Sequence, residues 1–227
     1  RYRFIEDNKR GFKRIMSSIN LDNDVEDEVV DKLVNTVDKA MPKLTHRYYK
    51  WKANQFGQTR LDWWDRNAPL PHSSENLIKW SDAKDIILDS FSSFHPEISN
   101  LAELFFKNNW IDASLRKGKA SGAFAHPSVP SLHPYILVNY QGKIRDVMTL
   151  AHELGHGVHQ ILAGKNGLLM AETPLTLAET ASVFGEMLVF RKLLDESSTV
   201  QKKQLLSGKI EDMLNTVARQ IGFHQFE

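Results

Sequence analysis

The sequence predicts a mainly α-helical fold with one small β-sheet or hairpin near residues 121–141. Apolar residues recur with a helical period over most of the chain, clearest in Val25, Val29, Val30, Leu33, Val34 and Val37. Glycine and proline break that pattern at intervals suited to helix ends. The exception is Tyr135-Ile136-Leu137-Val138, an apolar run of β-branched and aromatic residues between Pro134 and Gln141-Gly142, which reads as a strand.

Taken in order, residues 1–22 scatter Phe4, Ile5, Phe12, Ile15 and Met16 among charges and read as helical. A periodic helix from Asp24 is expected to stop at Pro42, which lacks an N–H and crowds the preceding turn. A second helix over about 43–56, with Leu44, Tyr48, Tyr49 and Trp51, ends at Gly57. Residues 61–71 form an aromatic turn whose Trp63 and Trp64 are expected in the core, since Trp is usually buried for its apolar area. Ser81 is the expected cap of a helix through Ile86, Ile87 and Phe91, and Pro96 opens the next. Residues 118–126 and 133–140 read as two strands around a proline-containing loop. Asp146 is the expected N-cap of a helix that Gly164 and Asn166-Gly167 end. A glycine-broken loop (164–171), a helix over about 175–194 and a long helix from about 197 complete the chain.

The helix after the strand carries His152-Glu153-Leu154-Gly155-His156. At about 100° per residue, two histidines four apart lie about 40° from each other and one turn along, so both rings can reach one ion. His-Glu-x-x-His on a helix is a zinc-binding pattern in which the glutamate acts as general base. Glu153 falls about 60° to the side of His156, where it can touch a water without ligating the ion. Two histidines and a glutamate on a largely apolar helix would be unfavourable without partners. Gly155 and Gly157 lower helix propensity by up to about 1 kcal/mol each. Their presence predicts that another helix passes very close.

A catalytic zinc site needs a third protein ligand and an open position. A histidine six residues after His156 would supply it, but that position is Leu162, so the ligand is expected from a following helix. Glu172, Glu179 and Glu186 are the candidates. Glu172 precedes Pro174 in a loop, whereas Glu179 lies among Ala178, Ala181, Ser182 and Gly185, small residues that let a backbone approach. Glu179 is therefore the chosen ligand. Glu186 is expected to orient a histidine ring, or else to be an ordinary helix glutamate. His159 lies two turns from His152 and is expected to contact substrate, support the site or simply pack.

Ala151-His152-Glu153-Leu154-Gly155-His156-Gly157-Val158-His159-Gln160, followed by Leu177-Ala178-Glu179-Thr180-Ala181-Ser182, resembles oligoendopeptidase F and the wider thimet oligopeptidase family of zinc metallopeptidases. Gly118-Lys119, Gly122-Ala123-Phe124 and His133–Tyr140 belong to the same resemblance, which spans about 118–190. It reaches weakly to Tyr48-Tyr49, Leu61-Asp62 and Arg219-Gln220-Ile221. The resemblance implies a zincin-like, mostly helical metallopeptidase catalytic region with its site in a deep channel admitting short peptides. It also implies one zinc ion on His152, His156 and Glu179, with Glu153 as base. The family's histidine and tyrosine contacts to substrate and oxyanion lie beyond the third ligand and find no match before Glu227. Residues 118–227 are accordingly expected to be a catalytic core truncated at its C-terminal end. Residues 1–117 are expected to be a helical region of the same domain or a helical lobe.

The expected activity is zinc-dependent hydrolysis of short peptides. Tyr135 is a candidate substrate contact, and strand 135–140 is either a core strand or a backbone partner for an extended peptide. Two alternatives are a non-catalytic peptide-binding or structural fragment that keeps the metal site, and another His-His-Glu hydrolase such as an aminopeptidase. An aminopeptidase would need further acidic residues to hold a free amino terminus.

Composition narrows the remaining classes. The net charge of +1 is interspersed along 227 residues, which gives no expectation of a nucleic-acid partner. The chain has no cysteine, which removes disulfide and thiolate-metal chemistry and is compatible with the cytoplasm. No apolar run approaches the ~20 residues of a membrane span, so no membrane partner is expected. The sequence opens on Arg1 and closes inside a helical pattern, which reads as a piece of a longer protein. Oligomeric state has no signature in it.

Overall fold

The computed structural model describes residues 2–71 and 77–226. In chain order the first elements are α1 (Tyr2–Arg10), α2 (Ser17–Asp22), α3 (Asp27–Gln55), a 3-10 turn at Trp63–Asp65, α4 (Trp80–Phe94) and α5 (Pro96–Lys107). Three short strands follow, β1 (Ile111–Asp112), β2 (Phe124–His126) and β3 (Tyr135–Leu137). Then come α6 (Ile144–Gly164), a 3-10 turn at Leu168–Met170, α7 (Leu175–Glu196) and α8 (Thr199–Phe226). The fold is mainly helical with one small sheet, as the sequence predicts. By their contacts the residues form two compact units, Arg1–Ser74 with Ser197–Glu227, and Glu75–Glu196.

In the first unit, α3 runs unbroken through Pro42 for 29 residues, which corrects the expected stop. Proline's φ suits a helix, and the ring forfeits the bond that an N–H at 42 would make to the carbonyl four residues back. The half of α3 beyond it is anchored to α8. The Lys52 side chain, 1% exposed, bonds Glu211 at 2.6 Å and the Arg66 carbonyl at 2.7 Å. Tyr48 donates to the same Glu211 carboxylate at 2.7 Å. Those bonds make continuing the helix more favourable than ending it. Gly57, at φ +71°, ends the excursion as expected. Trp63 and Trp64 are not core residues: they are 81% and 64% exposed. A three-residue turn turns both rings outward, where they pack edge-on against each other at 5.8 Å.

The second unit carries the sheet, in order β1-β3-β2. β1 runs parallel to β3 and β2 antiparallel to it, with Ala125 opposite Ile136 and His126 opposite Tyr135. The strands are shorter than the 118–126 and 133–140 expected. Beyond Leu137 the backbone still donates to the β1 side, Val138 to the Asp112 carbonyl at 3.0 Å and Tyr140 to the Ala113 carbonyl at 3.1 Å, while the Lys119 and Asn139 side chains bond the Val138 and Ala120 carbonyls. β3 is the central strand, so its backbone is already paired on both sides; the open edges are those of β1 and β2. Of the two readings of 135–140, a core strand or a backbone partner for a peptide, the central position of β3 favours the first. Ile136 turns to the core that Ile87, Phe91, Phe105, Leu150 and Leu154 build with it. Tyr135 lies on the opposite face, half-exposed, with its ring against His133.

Two expected caps also move. Lys79, extended at φ −67° and ψ 155°, is the N-cap of α4, and Ser81 bonds Asp82 inside the first turn. Lys143 is the N-cap of α6, and Asp146 sits at N3, accepting from the N–H groups of Lys143 at 3.0 Å and Gln141 at 2.8 Å. A carboxylate reaches back over the first turn from N3, so the helix begins two residues before Asp146. His95, by contrast, caps α5 just before Pro96, as proline at the first helical position requires. Among the described residues no helix is long and apolar enough to cross a membrane.

Candidate metal centre

The centre is built where α6 and α7 cross. A Cβ on Gly155 would lie 2.7 Å from the Ala181 carbonyl oxygen and 2.8 Å from the Ser182 Cα, inside the backbone of α7. A Cβ on Gly185 would lie 3.0 Å from the Ala151 oxygen. The two glycines therefore let the helix axes approach as closely as backbone allows, which is what Gly155 on α6 and the small residues around Glu179 predict. Gly157 serves a different neighbour: its Cβ would strike the Phe105 ring at 2.5 Å.

This crossing brings His152, His156 and Glu179 together, each offering one ligand atom, all within 4.8 Å of one another. His152 Nε2 is 3.4 Å from Glu179 Oε2, and His156 Nε2 is 3.7 Å from Glu179 Oε1. Both imidazoles thus present the same nitrogen towards one carboxylate. Their other contacts hold them so. His152 Nδ1 lies 3.4 Å from Glu186 Oε2, and a ring nitrogen of His156 bonds the Ala178 backbone. Glu179 is itself held by Ser182, whose hydroxyl donates at 3.0 Å to Oε2. Two nitrogens and one carboxylate oxygen form the donor set of a catalytic zinc site with an open position.

Glu153 stands beside this group and is only 6% exposed. Its Oε2 is buried and has no hydrogen-bond partner. Burial, then the Glu179 charge, push its pKa up to about 7 against the opposing pull of His152. An acid held near neutrality is suited to taking and returning a proton. Burial works against the imidazolium of His152. The Glu186 hydrogen bond and the carboxylates of Glu153 and Glu179 outweigh it, so its pKa lies above the ordinary value. His156 is held below the ordinary value, first by burial and then by His152 and His159, despite Glu179. The orphaned carboxylate oxygen and the converging nitrogens both fit a divalent cation with a water beside Glu153.

Of the other candidates, Glu186 reaches the far nitrogen of His152. His159 and Glu172 are outside the group of three, and Tyr135 sits on the sheet face away from the core that α6 shares. Sequence reasoning missed Ser182 as the partner of Glu179, although three residues apart on a helix is a contact spacing. It also missed Gln160, whose Nε2 reaches the Ala125 carbonyl at 3.4 Å. Only the β2 position makes that contact visible.

The model of peptidase family M3 matches residues 8–227. Oligopeptidase PepF of Bacillus subtilis is 30% identical over 207 residues, which are 90% of this chain and 31% of that protein. An oligoendopeptidase F homologue of Borreliella burgdorferi is 32% identical over 222 residues, 96% of this chain and 37% of the other. The chain thus spans about a third of the length of these curated relatives. Among solved structures, a protein of Chlamydophila abortus described as a peptidase superposes with a TM-score of 0.80 at 27% identity, covering 99% of this chain and 38% of its own. PZ peptidase A, solved with an inhibitor, shares the fold with a TM-score of 0.77 at 18% identity over 95% of this chain and 38% of its own.

Proposed function

This chain belongs to peptidase family M3, and from that premise we propose that it carries the zinc site and general base of an oligopeptidase acting on short peptides. The observation that supports this most is the convergence of His152, His156 and Glu179 beside a buried, unpartnered Glu153 oxygen. We assign His152, His156 and Glu179 as the residues that hold zinc and Glu153 as the base. Zinc bound there would act as a Lewis acid towards a carbonyl and lower the pKa of water.

The remaining steps fall to side chains of this chain. Glu153 accepts the proton of the attacking water and returns it to the leaving nitrogen. Glu186, on His152 Nδ1, fixes that ring so that Nε2 faces the ligand group. Ser182 fixes Glu179 in the same way. The peptide is held in extended form by the open edge of β2. Ile136 donates its N–H to the Trp110 carbonyl on the β1 side, so Ala125, opposite it, turns its own N–H and C=O away from β3. Gln160, one turn beyond His156 on α6, meets that carbonyl.

The test is hydrolysis of a short quenched peptide by the whole protein before and after chelation. Activity should fall at least about tenfold on chelation and return with about one equivalent of zinc per chain. Undiminished hydrolysis by protein shown to be free of metal would contradict the proposal.

A further inference from the structure

Gly118-Lys119 and Gly122 lie in the connection between β1 and β2, outside the ligand group and the base. Gly118 and Gly122 take φ +83° and +87°, values open to glycine, and so fold the connection back on itself. The Lys119 side chain in the fold is only 2% exposed. Its ammonium donates to the carbonyls of Asp112 at 2.9 Å, Ser114 at 3.0 Å and Val138 at 2.6 Å, and meets the Asp112 carboxylate at 3.1 Å. Arg116 forks onto the same carboxylate at 2.7 and 2.6 Å. Asn139 adds bonds to the Ala120 and Gly122 carbonyls at 3.0 and 2.9 Å. Residues 119–122 of the connection are thereby tied to residues 138–139, the segment that leaves β3 and runs into the cap of α6, and Lys119 ties them also to its start at Asp112 and Ser114.

β2 follows this connection directly. It is three residues long and pairs with β3 alone, so few ladder bonds hold it. Where its outward N–H and C=O stand relative to α6 is therefore set by the loop that delivers it together with the Gln160 bond to the Ala125 carbonyl. Packing alone would be served as well by an apolar side chain of the same volume, since burying a charge brings a desolvation penalty. What an ammonium supplies in addition is a fixed convergence of three carbonyls.

We propose that Lys119 is a positioning residue for the peptide: by clamping the β1–β2 loop to the exit of β3, it fixes the Ala125 backbone at a set distance from His152 and Glu153. This rests on the reading of β2 as the peptide-holding edge of an oligopeptidase. The test is Lys119→Met in the zinc-loaded whole protein. For a peptide long enough to pair with β2, KM should rise about tenfold, the scale of one lost hydrogen bond to a charged group. Turnover at saturation should stay within about twofold and zinc at about one per chain, because the ligands are untouched. Lys119→Arg, which keeps charge and donors, should recover part of the KM. If Lys119→Met does not fold, Asn139→Ala should raise KM in the same direction by about threefold.

An unchanged KM in folded Lys119→Met, or a loss confined to kcat, overturns the clamp. Binding of the uncleaved peptide to Glu153→Gln protein, with and without the Lys119 change, separates this proposal from the peptidase reading. A tenfold loss of binding with no cleavage by wild type would uphold the clamp and remove the peptidase. Cleavage by wild type with neither binding nor KM altered by Lys119→Met would remove the clamp alone.

Discussion

Glu153 places a carboxylate on a buried helix face, with one oxygen lacking any partner. In metal-free protein its pKa stands near 7 against 4.5 for an ordinary glutamate. Between those values the folded form keeps a proton that the unfolded form has released. The stability this contributes is complete below about 4.5 and is lost as pH rises through about 7. Urea denaturation of metal-free protein across that range should therefore show a decline that Glu153→Gln removes. The Glu153 carboxylate also helps hold the His152 pKa up, so the difference between the two proteins reads Glu153 together with its pull on His152. A decline identical in both would show that Glu153 is ionised throughout. At this scale the sequence was legible wherever spacing decided the matter, as with His152 and His156 four apart. Ser182 and Lys119 were opaque, because their partners are fixed by a helix crossing and a loop fold that no local spacing encodes.

At the scale of elements, the crossing of α6 and α7 governs the site. Gly155→Ala would set a methyl against the Ala181 oxygen and Ser182 Cα, both backbone atoms that cannot rotate away. The expected result is destabilisation of about 1–3 kcal/mol, as for an overpacked core. Zinc affinity should weaken as well, because Glu179 moves with α7. Gly208→Ala on α8, where a Cβ meets nothing within 4 Å, should be neutral or stabilising by up to about 1 kcal/mol. Equal effects at the two positions, read by thermal melting and metal titration, would deny the crossing its role. The helices themselves were legible from apolar period, and α7 and α8 begin within two residues of the expected starts. Pro42 misled because its local penalty is offset by Lys52 and Tyr48 anchoring the far half of α3. β1 was missed because two residues carry no period. That β3 is central and β2 an edge was beyond local pattern, since strand order is a property of the sheet.

For the molecule as a whole, the proposed ligands and base, with Glu186, Ser182 and Lys119, all fall within Glu75–Glu196. The other unit has its own anchor in Lys52 and Glu211, far in sequence from any ligand. The central claim is that three side chains of one compact unit hold a single zinc ion and that a fourth, Glu153, acts on the proton without holding it. The measurement that tests it most directly is zinc content and peptide hydrolysis, side by side, in wild type, Glu153→Gln and Glu179→Gln of the whole protein, with Glu172→Gln as control. Wild type, Glu153→Gln and Glu172→Gln should each hold about one zinc per chain, Glu179→Gln markedly less, and Glu153→Gln should hydrolyse nothing measurable. Loss of zinc from Glu153→Gln with full zinc in Glu179→Gln would reverse the roles assigned here and contradict the account.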